Sequence, residues 1–276
     1  MMESLTPQRV PGGYLALTRS HCYSLLFALP LLLAYEVLLL LVNHLRPDGA
    51  GVSNAAEAIL RRMLALIGAG GAATLLLLLI GMAGWLIRVE LRRRPELWPP
   101  LPRIFGLMLL ESAAWAYVLG KTVGWLTARL TLAANLAGPT LQQAVRPRLS
   151  LPEQLVLSLG AGLFEELLFR VMLVGGLTGL LLTLQRHPSV AAAFAWLGLD
   201  GRLRATLLAA LLSALSFSLL HYVGPYRDAF TLPSFTFRFL AGLAFTGVYL
   251  VRGFGIVAWA HALYDLGVLL LQGGGH

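Results

Sequence analysis

Residues 155–184 read LVLSLGAGLFEELLFRVMLVGGLTGLLLTL, and the reading of this run decides the fold. A helix needs roughly 20 apolar residues to cross the hydrocarbon core of a bilayer, and this stretch exceeds that length. Its only charged residues are Glu165, Glu166 and Arg170. A charge at the centre of an apolar helix costs roughly 2.5–3.5 kcal/mol on insertion scales. A span that keeps three of them must turn them toward protein or water.

Six further apolar runs flank it, at about residues 22–42, 63–87, 104–126, 205–222, 237–250 and 254–271. The chain is 58% hydrophobic and 12% charged, with a mean hydropathy of +0.76, where soluble domains carry about 25% charged residues. Too little polar surface remains to cover a soluble globule, so the expectation is an all-α polytopic membrane protein of about seven transmembrane helices. Residues 1–150 read as an N-terminal membrane region of three spans, and residues 151–276 as a second membrane unit that carries the charged motif. Only Val251, Arg252 and Gly253 separate the last two runs, which predicts a tight helical hairpin. Residues 190–199 are apolar but too short to span. The aromatic- and proline-rich residues 223–237 suit an interfacial loop or gate.

The formal net charge is +8, which in a soluble protein raises nucleic acid as a partner. Here the basic residues sit in short loops between apolar runs, where lipid headgroups and the positive-inside rule place them. The expected partner is therefore membrane lipid and not nucleic acid. The cluster Arg88, Arg92, Arg93, Arg94 and Arg103 puts the N-terminus on the cytoplasmic side, ahead of Arg9 and Arg19 there and Arg46, Arg146 and Arg148 opposite. Lys121 is the one lysine among 21 basic residues, a codon bias that suggests a GC-rich bacterial source and hence the inner membrane. The first run lacks a small-residue cleavage site and reads as a retained helix. The lone cysteine, Cys22, excludes an internal disulfide and a CxxC metal site. It reads as a buried small hydrophobe, with palmitoylation as the alternative.

Within the charged span, Glu166 and Arg170 are four residues apart and share a helix face, so they can pair. That leaves Glu165 on another face with no local partner. An unpaired carboxylate at depth is the position a general base would occupy. Two histidines can answer it. His221 ends the fifth run, and His261 lies in the last with Asp265 one turn on. A neutral imidazole near a carboxylate can fix a water or ligate a metal, and Asp265 can orient His261 or join it as a ligand. A divalent metal such as zinc is compatible with the set Glu165, His221, His261 and Asp265. Glu36 and Glu111 are charged too, and either lines the same cavity or pairs with Lys121 or an arginine. Gly68, Gly70 and Gly71 suggest close helix packing. His21, His44 and His187 flank spans, and His276 sits at a fraying end.

Glu165-Glu166-x-x-x-Arg170, then Phe217-x-x-x-His221, then His261-x-x-x-Asp265 resembles the three motifs of the CAAX protease and bacteriocin-processing family, also called Abi. The resemblance covers roughly residues 155–271. It implies a four-helix catalytic core in the bilayer and an intramembrane endopeptidase acting on a membrane-associated or lipid-anchored peptide. On the matching positions, Glu165 would activate water, and Glu166 would pair with Arg170 and hold the helix geometry. His221 would position the water, while His261 and Asp265 would bind it or stabilise the oxyanion. CAAX-processing members carry Asn at the last motif position, where this chain has Asp265.

Peptide hydrolysis needs an activated water, oxyanion stabilisation and a proton for the leaving amine, which a desolvated glutamate beside two histidines can supply. The chain has no G-x-S-x-G nucleophile elbow and no H-E-x-x-H zincin motif. Two other readings stand beside proteolysis. One is a proton or ion transporter with a Glu–His relay, although neither repeated halves nor paired broken helices are visible. The other is a catalytically silent immunity or scaffold protein.

Overall fold

The computed structural model describes residues 13–45, 51–132, 149–195, 198–223 and 227–273. Arg9, Arg46, Arg146, Arg148, Trp196 and His276 lie outside the described residues. Every regular element among those described is helical. In chain order they are α1 (Gly13–Thr18), α2 (His21–His44), α3 (Ala55–Ala65), α4 (Ala72–Arg93), α5 (Pro102–Leu130), α6 (Leu151–Leu184), α7 (Pro188–Ala195), α8 (Gly201–Leu220), α9 (Leu232–Arg252) and α10 (Phe254–Gly273), with a single 3₁₀ turn between α4 and α5. Seven of them, α2, α4, α5, α6, α8, α9 and α10, are long and apolar enough to cross a membrane. The chain is an all-α multi-pass membrane protein.

The helices start where capping chemistry predicts. Ser20, Asp200 and Thr231 accept backbone N–H groups at the starts of α2, α8 and α9, and Ser150 and Glu153 form a capping box on α6. The second predicted run differs from the structure. Residues 63–67 belong to the end of the short helix α3 and its exit, and the span itself, α4, begins only at Ala72. The break is a Schellman turn: Gly68 takes φ +78°, its N–H bonds to the Ala65 carbonyl, and the Ala69 N–H bonds to Leu64. Gly68 is thus a turn residue, whereas Gly70 does pack closely, since a Cβ there would sit 2.5 Å from that of Ala65. Likewise, α9 begins at Leu232, so the predicted interfacial loop is shorter than residues 223–237.

The last helix, α10, forms the centre of the bundle. Ile256, Val257, Ala258, Ala260 and Ala262 are fully buried, and small residues let neighbouring backbones approach. A Cβ on Gly255 would fall 2.5 Å from the Ser24 carbonyl of α2, and one on Gly162 of α6 would fall 2.5 Å from the Ala258 carbonyl. Gly253 (φ +85°) makes the tight α9–α10 turn. At the outer edge, α4 buries only Leu75 and exposes Leu77, Leu78, Ile80, Met82 and Trp85, as a lipid-facing helix must.

Glu111 sits in a polar cluster that ties α5 to α9 and α1. Arg252 donates to it through Nε and, at 2.8 Å, through Nη2, and Tyr14 donates to it at 2.6 Å. Burial, with the Glu111 carboxylate beside it, pushes the Tyr14 phenol well above its usual range. Glu111 therefore pairs with an arginine and not with Lys121. Cys22 is fully buried.

Candidate active site

The backbone of α6 widens where its charges sit. Ala161–Glu165 and Leu167–Gly175 have π-helical geometry, a departure from α spacing that recurs at functional sites. The widened stretch includes Gly162, where α6 and α10 come into backbone contact.

Glu166 is the hub. It is completely buried, with its Oε2 3.0 Å from Arg170 Nε, and its Oε1 2.7 Å from His261 Nδ1. Arg170, equally buried, reaches the Gly242 carbonyl at 3.4 Å and lies over the ring of Phe217, 4.7 Å from its centroid. With its desolvation offset by the carboxylate and an aromatic face, the guanidinium holds Glu166 as an anion. An anionic Glu166 can only accept, so His261 Nδ1 carries the hydrogen and Nε2 is directed elsewhere. Phe245 stacks on the His261 ring at 4.5 Å and fixes its plane.

The partner of His261 is thus Glu166. Asp265, expected to orient this histidine, has its Oδ2 3.8 Å from Nε2, beyond hydrogen-bond length. Its place one turn along α10 keeps it in electrostatic contact with His261 and Glu165.

His221 occupies the C-cap of α8. Its Nδ1 lies 2.8 Å from the Phe217 carbonyl. A carbonyl only accepts, so His221 takes the same tautomer as His261, and Nε2 has no partner among the described residues. The Phe217 ring contacts both imidazoles, at 4.9 Å from His221 and 6.0 Å from His261. One aromatic side chain thus spaces the two histidines and supports Arg170.

Glu165 has a partner that the sequence reading missed. Asn54, at the N-cap of α3, donates its Nδ2 to Glu165 Oε1 at 3.0 Å. The other oxygen, Oε2, is buried and has no hydrogen-bond partner among the described residues. The motif Asn54-x-x-Glu57 marks a helix start, but nothing in it points to a carboxylate 111 residues away. Glu36 is on α2, outside these contacts.

The expected metal set does not assemble. Among the described residues, no three His, Cys, Asp or Glu side chains converge into a group that could hold a metal ion. The side-chain geometry instead separates the carboxylates. Glu166 is committed to Arg170 and His261, Glu165 is half tethered to Asn54, and Asp265 stands off.

No curated protein and no solved structure gives a significant match to the chain. A family model described as type II CAAX prenyl endopeptidase, Rce1-like, matches residues 147–267. That segment holds α6, α8, α9 and α10 and with them Glu165, Glu166, Arg170, His221, His261 and Asp265. The match makes residues 147–267 of this chain similar to the CAAX protease and bacteriocin-processing family, on the segment that carries the three motifs.

Proposed function

We propose that the protein hydrolyses a peptide bond of a membrane-associated or lipid-anchored peptide, using a water activated by Glu165. One observation carries this reading. Glu165 has one oxygen held by Asn54 and one buried oxygen with open acceptor capacity among the described residues, within electrostatic reach of His261. A carboxylate in that state is suited to take a proton from water.

In the proposed cycle, Glu165 Oε2 accepts a proton from water as the oxygen attacks the scissile carbonyl carbon. His221 Nε2, the acceptor nitrogen of the ring, orients that water. His261, locked by Glu166 and Phe245, presents its second nitrogen to the developing oxyanion and stabilises it in the protonated form. The C–N bond breaks as the amine takes the proton held by Glu165, which returns the base to its starting state. Glu166 and Arg170 do no proton transfer and keep His261 in register. No step is routed through a metal.

The same reading sets the chain in a bacterial inner membrane with its N-terminus cytoplasmic, supported by the arginines that close α4 and open α5. The family's description suggests a probe, a farnesylated peptide ending in a CAAX sequence. Purified protein in detergent is expected to release the last three residues, detected by mass spectrometry. His221→Ala should lower the rate roughly 100-fold or more. A wild-type protein that releases nothing, or a His221→Ala variant of unchanged rate, would count against the assignment.

A further inference from the structure

Asn54 lies outside the segment matched to the family, on a helix of 11 residues that is too short to span, yet it touches the proposed base. The orientation of its amide is settled by its second bond. Oδ1 accepts from the Ala56 N–H at 2.8 Å as the cap of α3, so the end facing Glu165 Oε1 is the NH₂ group, a donor.

The anchor is well held. Asn54 is 4% exposed and its backbone N–H lies 3.4 Å from the Tyr35 hydroxyl. Tyr35 donates to Glu57, and Glu57 pairs with Arg61 at 3.2 Å. Gly160, just before the widened stretch of α6, lets the helix close on this cluster. A Cβ there would fall 2.7 Å from Tyr35 Cε2 and 2.8 Å from Asn54 Cβ.

From this geometry we infer that Asn54 is a positioning residue: it fixes one oxygen of Glu165 so that the other faces the reacting water. The inference rests on the proteolytic reading of Glu165. It also means that the site is completed by α2 and α3, so that residues 147–267 alone leave the base untethered.

Serine and aspartate cap a helix about as well as asparagine, which separates capping from positioning. A role confined to the cap leaves Asn54→Asp and Asn54→Ser like wild type in both melting and turnover. Positioning gives another order. Asn54→Ser loses the donor, and Asn54→Asp sets a second carboxylate against Glu165. On the farnesylated CAAX peptide, kcat is expected to fall roughly 100-fold in Asn54→Asp, and less in Asn54→Ser. KM should stay within about twofold, because the contact is not to substrate.

A second measurement does not need turnover. The exchange Asn54→Asp/Glu165→Gln rebuilds an amide–carboxylate pair with donor and acceptor swapped. It should melt close to wild type, with Asn54→Asp alone melting well below. Additive melting shifts, or wild-type kcat in Asn54→Asp, would overturn the inference. If wild type is inert toward the peptide, the proteolytic reading alone fails, and the melts still decide whether Asn54 holds Glu165.

Discussion

Arg170 shows what a single residue must do to survive inside a membrane helix. Its guanidinium is wholly buried, beside Glu166 and over Phe217. Removing one member of a buried pair strands the other at a cost of roughly 3–5 kcal/mol. Arg170→Ala should therefore lower the thermal melt in detergent steeply, and the added change Glu166→Gln should recover part of the loss. An unchanged melt in Arg170→Ala would mean that the pair contributes nothing. Because Glu166 also holds His261 Nδ1 at 2.7 Å, the recovered double variant should still be slow, since a neutral amide no longer fixes the imidazole as firmly.

Among the elements, α6 and α10 define the site through their closest approach. Gly162 leaves no room for a methyl group: a Cβ would meet the Ala258 carbonyl at 2.5 Å and the Ala262 backbone nitrogen at 2.7 Å. These are main-chain atoms, so the helices must part. Gly162→Ala should destabilise the protein and weaken the Glu166–His261 bond. Gly247→Ala on α9, where nothing lies within 4 Å, should be neutral or slightly stabilising. Equal melts for the two variants would contradict the packing. Element scale also marks where sequence reading succeeds and stops. Long apolar runs announce spans because lipid imposes length and composition, and α2, α5 and α10 lie close to their predicted bounds. The Glu166–Arg170 contact was legible because it is local. Helix α3 was merged into its neighbour because an 11-residue helix leaves no length signal. Asn54, and the choice of Glu166 over Asp265 as the partner of His261, depend on which helices touch. No periodicity records that.

Across the whole molecule, the crossings fix which contacts share a side. Three spanning helices, α5, α6 and α8, separate Arg93 from Arg227, so the two positions lie on opposite faces of the membrane. Cys22 is fully buried and should stay silent toward an impermeant maleimide. Arg93→Cys and Arg227→Cys should label from opposite sides of sealed vesicles, with Arg93→Cys cytoplasmic under the proposed orientation. Labelling of both from one side would break the seven-span topology. The same architecture explains why the family resemblance is confined to the second half of the chain. The motif residues ride on α6, α8 and α10, while α3 reaches Glu165 through Asn54, which Tyr35 of α2 supports.

The account turns on Glu165, and the most direct measurement is the initial rate of farnesylated CAAX peptide cleavage by wild type and Glu165→Gln, reconstituted in the same liposomes. Glutamine keeps the size of the side chain and removes its ability to take a proton. The account expects wild type to cleave, Glu165→Gln to fall to background, and the variant to remain folded. Cleavage at an undiminished rate by Glu165→Gln would contradict it and remove Glu165 as the base.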